Sequence, residues 1–210
     1  LEDDILVSKY FLFYMNTSLE LYKDFHNVAS IHGYCYPIKN LPATFFIKGA
    51  DCWGWATWAD RWRNINWDAS NLYRKIVDSG RSYEFDSSGN YPFTELLRLQ
   101  RDELVDSWAI RWQASLFLEN KLCLYPNKSL ITNLGFKGDG THGTKDNRYE
   151  VELCQNFDVA FKEISLEEDS GARIALSGFY KNLNSQSFSA SLYVYFRGKL
   201  KRFLRLFFRT

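Results

Sequence analysis

A mixed α/β fold follows from the order of patterns along the chain. Apolar runs of strand length at 28–36, 44–48 and 122–125 alternate with stretches whose apolar residues recur every three or four positions. With 210 residues, 46% of them hydrophobic, the chain can bury a substantial core as one domain or as one domain with an appendage. Aromatic residues reach 18%, which exceeds what packing usually demands. That surplus fits a large aromatic core and also a site that stacks rings or sugars.

The elements follow in order. Ser8 stands where a helix cap belongs, ahead of Tyr10, Phe11, Tyr14, Met15, Leu19 and Tyr22 at helical spacing. The run 28–36 opens on Val28-Ala29-Ser30-Ile31 and reads as a strand, after which Pro37 and Pro42 bracket a loop. Thr44-Phe45-Phe46-Ile47-Lys48 reads as a second strand and leads into Gly49-Ala50-Asp51-Cys52-Trp53-Gly54-Trp55, a turn with two glycines and two indoles. A helical pattern is expected over 56–62 and a helix over 72–77, whereas 79–90, rich in Ser, Gly and Asp, reads as a loop. Thr94 is placed to cap a helix through Leu96, Leu97 and Leu99; Trp108, Ala109, Trp112 and Leu116 predict another. The strand 122–125 ends at Pro126, 129–134 is extended, and a glycine-rich run over 135–143 follows.

A composition shift places a boundary near Lys145, giving a principal part over 1–145 and a C-terminal helical appendage over 146–210, with Glu167-Glu168-Asp169-Ser170-Gly171 as a linker. In the appendage Phe196, Leu200, Phe203, Leu204 and Phe207 share one helical face, and Arg197, Lys201, Arg205 and Arg209 form a stripe on its flank. Such a basic amphipathic helix, spanning 191–209, suits an anionic membrane surface or packing on the N-terminal half expected to be missing. The net charge of only +1 excludes a broadly basic nucleic-acid binder. The 4 cysteines, Cys35, Cys52, Cys123 and Cys154, form no CxxC pair, which argues against zinc and for reduced thiols. No apolar stretch is long enough to span a bilayer, and no signal peptide is visible. Because residue 1 is not methionine and already stands inside a motif, a fragment is expected.

The chain opens on Glu2-Asp3-Asp4 followed by apolar Ile5-Leu6-Val7. Three adjacent carboxylates repel one another, so they either remain solvated at a turn or meet a cation such as Mg²⁺ or Mn²⁺. Asp106 precedes the helix that begins near Trp108, where it reads as a general base or as an ordinary N-cap. Trp53 and Trp55 flank Gly54 and offer indole faces to a pyranose, although Trp55, Trp58 and Trp62 also recur at a core spacing. His142 sits in the glycine-rich run, where a lone histidine reads as an exposed loop residue.

Taken in order, Glu2-Asp3-Asp4, Cys52-Trp53-Gly54-Trp55, Asp106-Ser107-Trp108 and Gly138-Asp139-Gly140-Thr141-His142-Gly143 resemble the C-terminal part of GT-A-type nucleotide-sugar glycosyltransferases. The likeness is to family 2-like bacterial enzymes and to animal N-acetylglucosaminyltransferase I, and it covers about residues 1–143. The resemblance implies a GT-A-like, Rossmann-like mixed sheet flanked by helices, with its N-terminal part missing, so that 1–145 is the acceptor-side half of the catalytic domain. It also implies transfer of a sugar from a nucleotide-diphosphate donor to a hydroxyl of a glycan or lipid-linked acceptor, with inversion and with Mn²⁺ or Mg²⁺. By the same resemblance Asp4 is the direct metal ligand, Glu2 and Asp3 contact the ribose or metal waters, and His142 is a further ligand. Asp106 is the base, with Asp102 and Glu103 as substitutes because the animal enzyme carries two acids before its Trp. Trp53, Gly54 and Trp55 form the acceptor side. The expected location is the cytoplasm, peripheral on the inner membrane face.

Two other readings remain open at this stage: an inactive glycan- or partner-binding module of the same fold, and a Mg²⁺-dependent phosphodiesterase or nucleotidyltransferase. The second shares the carboxylates but has little need of the Trp-Gly-Trp turn.

Overall fold

The computed structural model describes residues 1–134, 147–157 and 161–185. In chain order these form β1 (Ile5–Val7), α1 (Phe11–Leu21), β2 (Val28–His32), β3 (Thr44–Lys48), β4 (Trp55–Ala56), α2 (Ala59–Arg63), α3 (Ala69–Asp78), α4 (Ser82–Phe85), α5 (Phe93–Arg101), α6 (Trp108–Leu118), β5 (Leu122–Pro126), β6 (Ile131–Asn133), a single 3₁₀ turn (Asn147–Tyr149) and α7 (Ser170–Ser185). The fold is mixed α/β, with a mixed sheet flanked by helices. Two compact units divide it: Leu1–Ile65 with Leu116–Leu176, and Asn66–Ser115 with the chain from Ser177. The division falls within α6 and α7. The boundary expected near Lys145 lies outside the described residues, as does the basic stretch 191–209.

In the first unit four strands lie in the order β3-β5-β2-β4, and β1 pairs with β6 in a separate antiparallel ribbon. The central pair β2 and β5 is parallel, and every residue of both strands is buried. Burial on both faces explains the continuous run of β5, and in β2 the two buried polar residues, Ser30 and His32, face one another at 2.8 Å. Phe11, Tyr14, Met15 and Tyr22 of the α1 region pack with Val28, Ile31, Phe46 and Leu124 into one core. Each such side chain contributes on the order of 1.5–3 kcal/mol on leaving water.

The chain beyond the glycine-rich run closes this core. Val151, Phe157, Phe161 and Ile164 pack against it, the Phe157 ring meets Tyr14 edge-on at 5.4 Å, and the Ile164 amide donates to the Tyr22 hydroxyl at 3.2 Å. The acidic run 167–171 is therefore no linker. Asp169 donates its amide to the Phe46 carbonyl at 2.9 Å, Glu168 accepts the Lys48 amide at 2.8 Å, and the Asp169 carboxylate accepts the Ala172 amide at the start of α7. Its acids serve the outer side of β3 and a helix start, where negative charge is favoured.

Three further expectations are corrected. Trp55–Ala56 is a strand paired antiparallel to Ile31 and His32, and only 59–63 is helical, because the Trp spacing at 55, 58 and 62 runs across a strand and a short helix alike. Ser8 does not cap α1 as expected: its hydroxyl donates to the Cys154 carbonyl at 2.7 Å, and Tyr10 occupies the cap position. The 79–90 loop contains the short helix α4.

The second unit is helical over its described residues. Asp68 caps α3 by accepting the amides of Ser70 and Asn71. At α5 the expected Thr94 cap is replaced by Asp86, which accepts the Thr94 amide at 2.6 Å. Leu72, Ile76, Phe85, Leu97, Ile110 and Trp112 are buried in this unit, and Tyr91, Phe93 and Tyr180 form an aromatic cluster. No helix among the described residues is long and apolar enough to cross a membrane.

Candidate active site

Glu2-Asp3-Asp4 form the turn that enters β1, with Glu2 and Asp3 exposed and Asp4 half-buried. The turn is fixed by backbone bonds: the Ile5 amide donates to the Glu2 carbonyl at 3.3 Å, and the Leu134 amide donates to the Asp4 carbonyl at 2.8 Å. Leu134 is the last described residue before the run that carries His142. Crowding of the Glu2 carboxyl by the surrounding chain, and behind it the charge of Asp4 and then that of Asp3, push its pKa up. These carboxylates repel one another.

The turn Asp51-Cys52-Trp53-Gly54-Trp55 joins β3 to β4 in the same unit. Burial first, then the charges of Asp51 and Glu2, push the Cys52 thiol up to about 12. The acidic turn and the indole turn belong to the same compact unit. Trp53 is half-buried and stands edge-on to Tyr34, at 5.0 Å between ring centres, and to Tyr149, at 5.6 Å. Trp55 lies in β4, with its ring 6.4 Å from His32 and 5.9 Å from Trp62. Gly54 adopts φ +54°, and a Cβ there would lie 2.8 Å from Ile131 Cγ2. Glycine is required there by backbone conformation and space.

Sequence reasoning missed what holds this turn. His32, completely buried in β2, stacks on Tyr125 with ring centres 4.4 Å apart and only 4° between planes. Its Nδ1 lies 3.1 Å from Asp51 Oδ1, and its Nε2 lies 2.8 Å from Ser30 Oγ. The Asp51 carboxylate also accepts the Trp53 amide at 3.4 Å and the Tyr125 hydroxyl at 3.4 Å. Ser30, His32 and Asp51 have the connectivity of a hydrolase triad, but Ser30 is completely buried and its Oγ also lies 3.0 Å from Cys123 Sγ. A hydroxyl with no path to a substrate is a packing group, not a nucleophile. The signal available in the sequence was Ser30 and His32 two apart on a strand, facing one way.

Asp106 belongs to the second unit and is exposed, and its side chain makes no hydrogen bond to the described residues. The cap of α6 is its neighbour Ser107, whose hydroxyl accepts the Ile110 amide at 3.4 Å. Of the substitutes, Asp102 is bound by Arg98 and Arg101 at 2.8 Å each, which lowers its pKa, and Glu103 is exposed.

Comparison of the chain with protein-family models, with curated proteins and with solved structures finds no match. The functional reading therefore rests on the residues themselves. Among the described residues no three of the His, Cys, Asp and Glu side chains are grouped to hold a metal ion unaided. The donor set at Glu2-Asp3-Asp4 fits a hard cation that takes one or two protein oxygens and its other ligands from a diphosphate and water. His142 lies outside the described residues.

Proposed function

We propose that this chain is the acceptor-side part of a GT-A-like, metal-dependent glycosyltransferase that moves a sugar from a nucleotide-diphosphate donor to a hydroxyl of a glycan or lipid-linked acceptor. The observation that carries the reading is that one compact unit holds both the Glu2-Asp3-Asp4 turn entering β1 and an indole turn fixed to the sheet by Asp51, His32 and Tyr125. Asp4 offers an oxygen to Mn²⁺ or Mg²⁺, with Glu2 and Asp3 beside it. The bound cation would neutralise charge on the departing diphosphate. Trp53 presents ring surface to the acceptor sugar, with Gly54 and Trp55 shaping the turn. Asp106, uncommitted to the α6 cap, is the base that removes the acceptor proton, and a single base of this kind favours inversion. Cytoplasmic location and peripheral attachment at an anionic membrane through 191–209 belong to the same proposal.

A second reading, a glycan-binding module without turnover, draws support from the absence of any self-sufficient metal cluster among the described residues. Thermal shift with UDP and GDP, each with Mn²⁺ and with EDTA, separates the two. An enzyme of the proposed kind is stabilised by nucleotide only when metal is present, and Asp4→Ala removes both that shift and transfer. Nucleotide stabilisation that survives EDTA overturns the role of Asp4. Glycan binding that persists in Asp4→Ala without any transfer by the parent protein favours the module.

A further inference from the structure

We infer that Asp51, held by His32 and Tyr125, is a positioning residue that fixes the Trp53–Gly54–Trp55 turn for acceptor binding; this rests on the glycosyltransferase reading. Asp51 is a charged group shared by the buried strands and the indole turn. Its side chain is 15% exposed, so one edge faces outward while the other meets a completely buried imidazole. Oδ1 serves two donors, His32 Nδ1 at 3.1 Å and the Trp53 amide at 3.4 Å, and Oδ2 accepts the Tyr125 hydroxyl at 3.4 Å. The Asp51 amide in turn donates to that hydroxyl at 3.3 Å. Backbone and side chain of Asp51 are therefore tied to the central strand β5 through one tyrosine.

His32 cannot turn away from this arrangement. Its ring is stacked on Tyr125 and lies nearly parallel to Trp55, with 18° between planes, and its far nitrogen is occupied by Ser30. With Ser30 facing Nε2 and a carboxylate facing Nδ1, the arrangement favours the tautomer that donates from Nδ1. The ring is thus a fixed donor, Asp51 a fixed acceptor, and the Trp53 amide is placed by both. Trp55 is placed separately, by its pairing with His32 across β2 and β4. His32 consequently references both indoles to the core, one through its ring and Asp51 and the other through its strand pairing, which is how a loop site gains the rigidity that orientation of a sugar hydroxyl needs.

The test compares Asp51→Ala, Asp51→Asn and Tyr125→Phe. Asparagine keeps an oxygen for His32 Nδ1 and Trp53 but loses the charge and turns a donor toward the Tyr125 hydroxyl in place of Oδ2; alanine removes the acceptor altogether. Asp51→Ala is expected to raise KM for the acceptor at least tenfold, with KM for the donor and donor hydrolysis changed less than twofold, and Asp51→Asn to restore acceptor KM to within about threefold. Fluorine NMR of 5-fluorotryptophan protein reads the same device without turnover. The Trp53 line should broaden or split in Asp51→Ala and remain sharp in Asp51→Asn, with the Trp112 line unmoved. If Asp51→Ala does not fold, Tyr125→Phe carries the test through the same two readouts, with a smaller rise in acceptor KM. An unchanged Trp53 line overturns the positioning role, as does a loss of donor and acceptor affinity together. Absence of transfer by the protein that joins this acceptor-side part to a donor-binding part overturns the glycosyltransferase reading, and the fluorine spectra still decide whether Asp51 orders the turn.

Discussion

Gly33 donates its amide to the Gly54 carbonyl at 2.8 Å, and neither residue has room for a side chain. A Cβ on Gly33 would lie 2.6 Å from the Phe11 ring and 3.0 Å from the Gly54 oxygen; one on Gly54 would meet Ile131 while φ stays at +54°. Gly54→Ala combines a left-handed backbone with a clash against a buried side chain, and a loss of about 2–4 kcal/mol is expected. Gly33→Ala meets only crowding and should lose about 1–3 kcal/mol. Urea unfolding of both variants checks the order, with Gly54→Ala the less stable.

Ser107 caps α6, and the proposed base Asp106 stands exposed beside it. Ser107→Ala removes the α6 cap and should cost about 1 kcal/mol in urea unfolding. Asp106→Asn should leave stability within about 0.5 kcal/mol, as for an exposed side chain without a partner, yet lower the transfer rate by roughly 10²–10⁴-fold. A stability loss in Asp106→Asn equal to that of Ser107→Ala would return Asp106 to a structural role.

Cys35, Cys52 and Cys123 have thiols pushed up to about 12, in each case by burial first, with the Asp51 charge adding to the rise. The thiolate is the reactive form, so alkylation of native protein at pH 8 should be slower than that of free cysteine by roughly 10²–10³-fold. Raising pH toward the shifted value speeds the reaction. Asp51→Asn removes one raising influence and should accelerate labelling of Cys52, the half-exposed member of the three, read by mass spectrometry. Equal rates in parent and variant would show that the Asp51 charge does not act on the Cys52 thiol.

The parts of the fold visible in the sequence are those whose causes are local. The strand over 44–48 appears at its expected bounds, and the helix expected from Trp108 begins there. What escaped depends on partners distant along the chain. Ser8 looks like a cap until Cys154, 146 positions away, takes its hydroxyl. Trp55 looks helical until β2 pairs with it. The acidic run 167–171 reads as solvated until the outer side of β3 is placed against it. At the site, the acids and indoles announce themselves by composition. The His32–Asp51 link spans 19 positions between residues that carry no motif, so no spacing rule reveals it.

The two margins of the four-stranded sheet are both unavailable to an intruding strand. Along β3, Asp169 already occupies the Phe46 carbonyl, Glu168 the Lys48 amide, and Arg173 the Lys48 carbonyl. At the opposite margin β4 extends over only two residues, Trp55 and Ala56. A sheet finished in this way offers little template for edge-to-edge growth, so self-association through these strands, whether dimer or fibril, is disfavoured by construction.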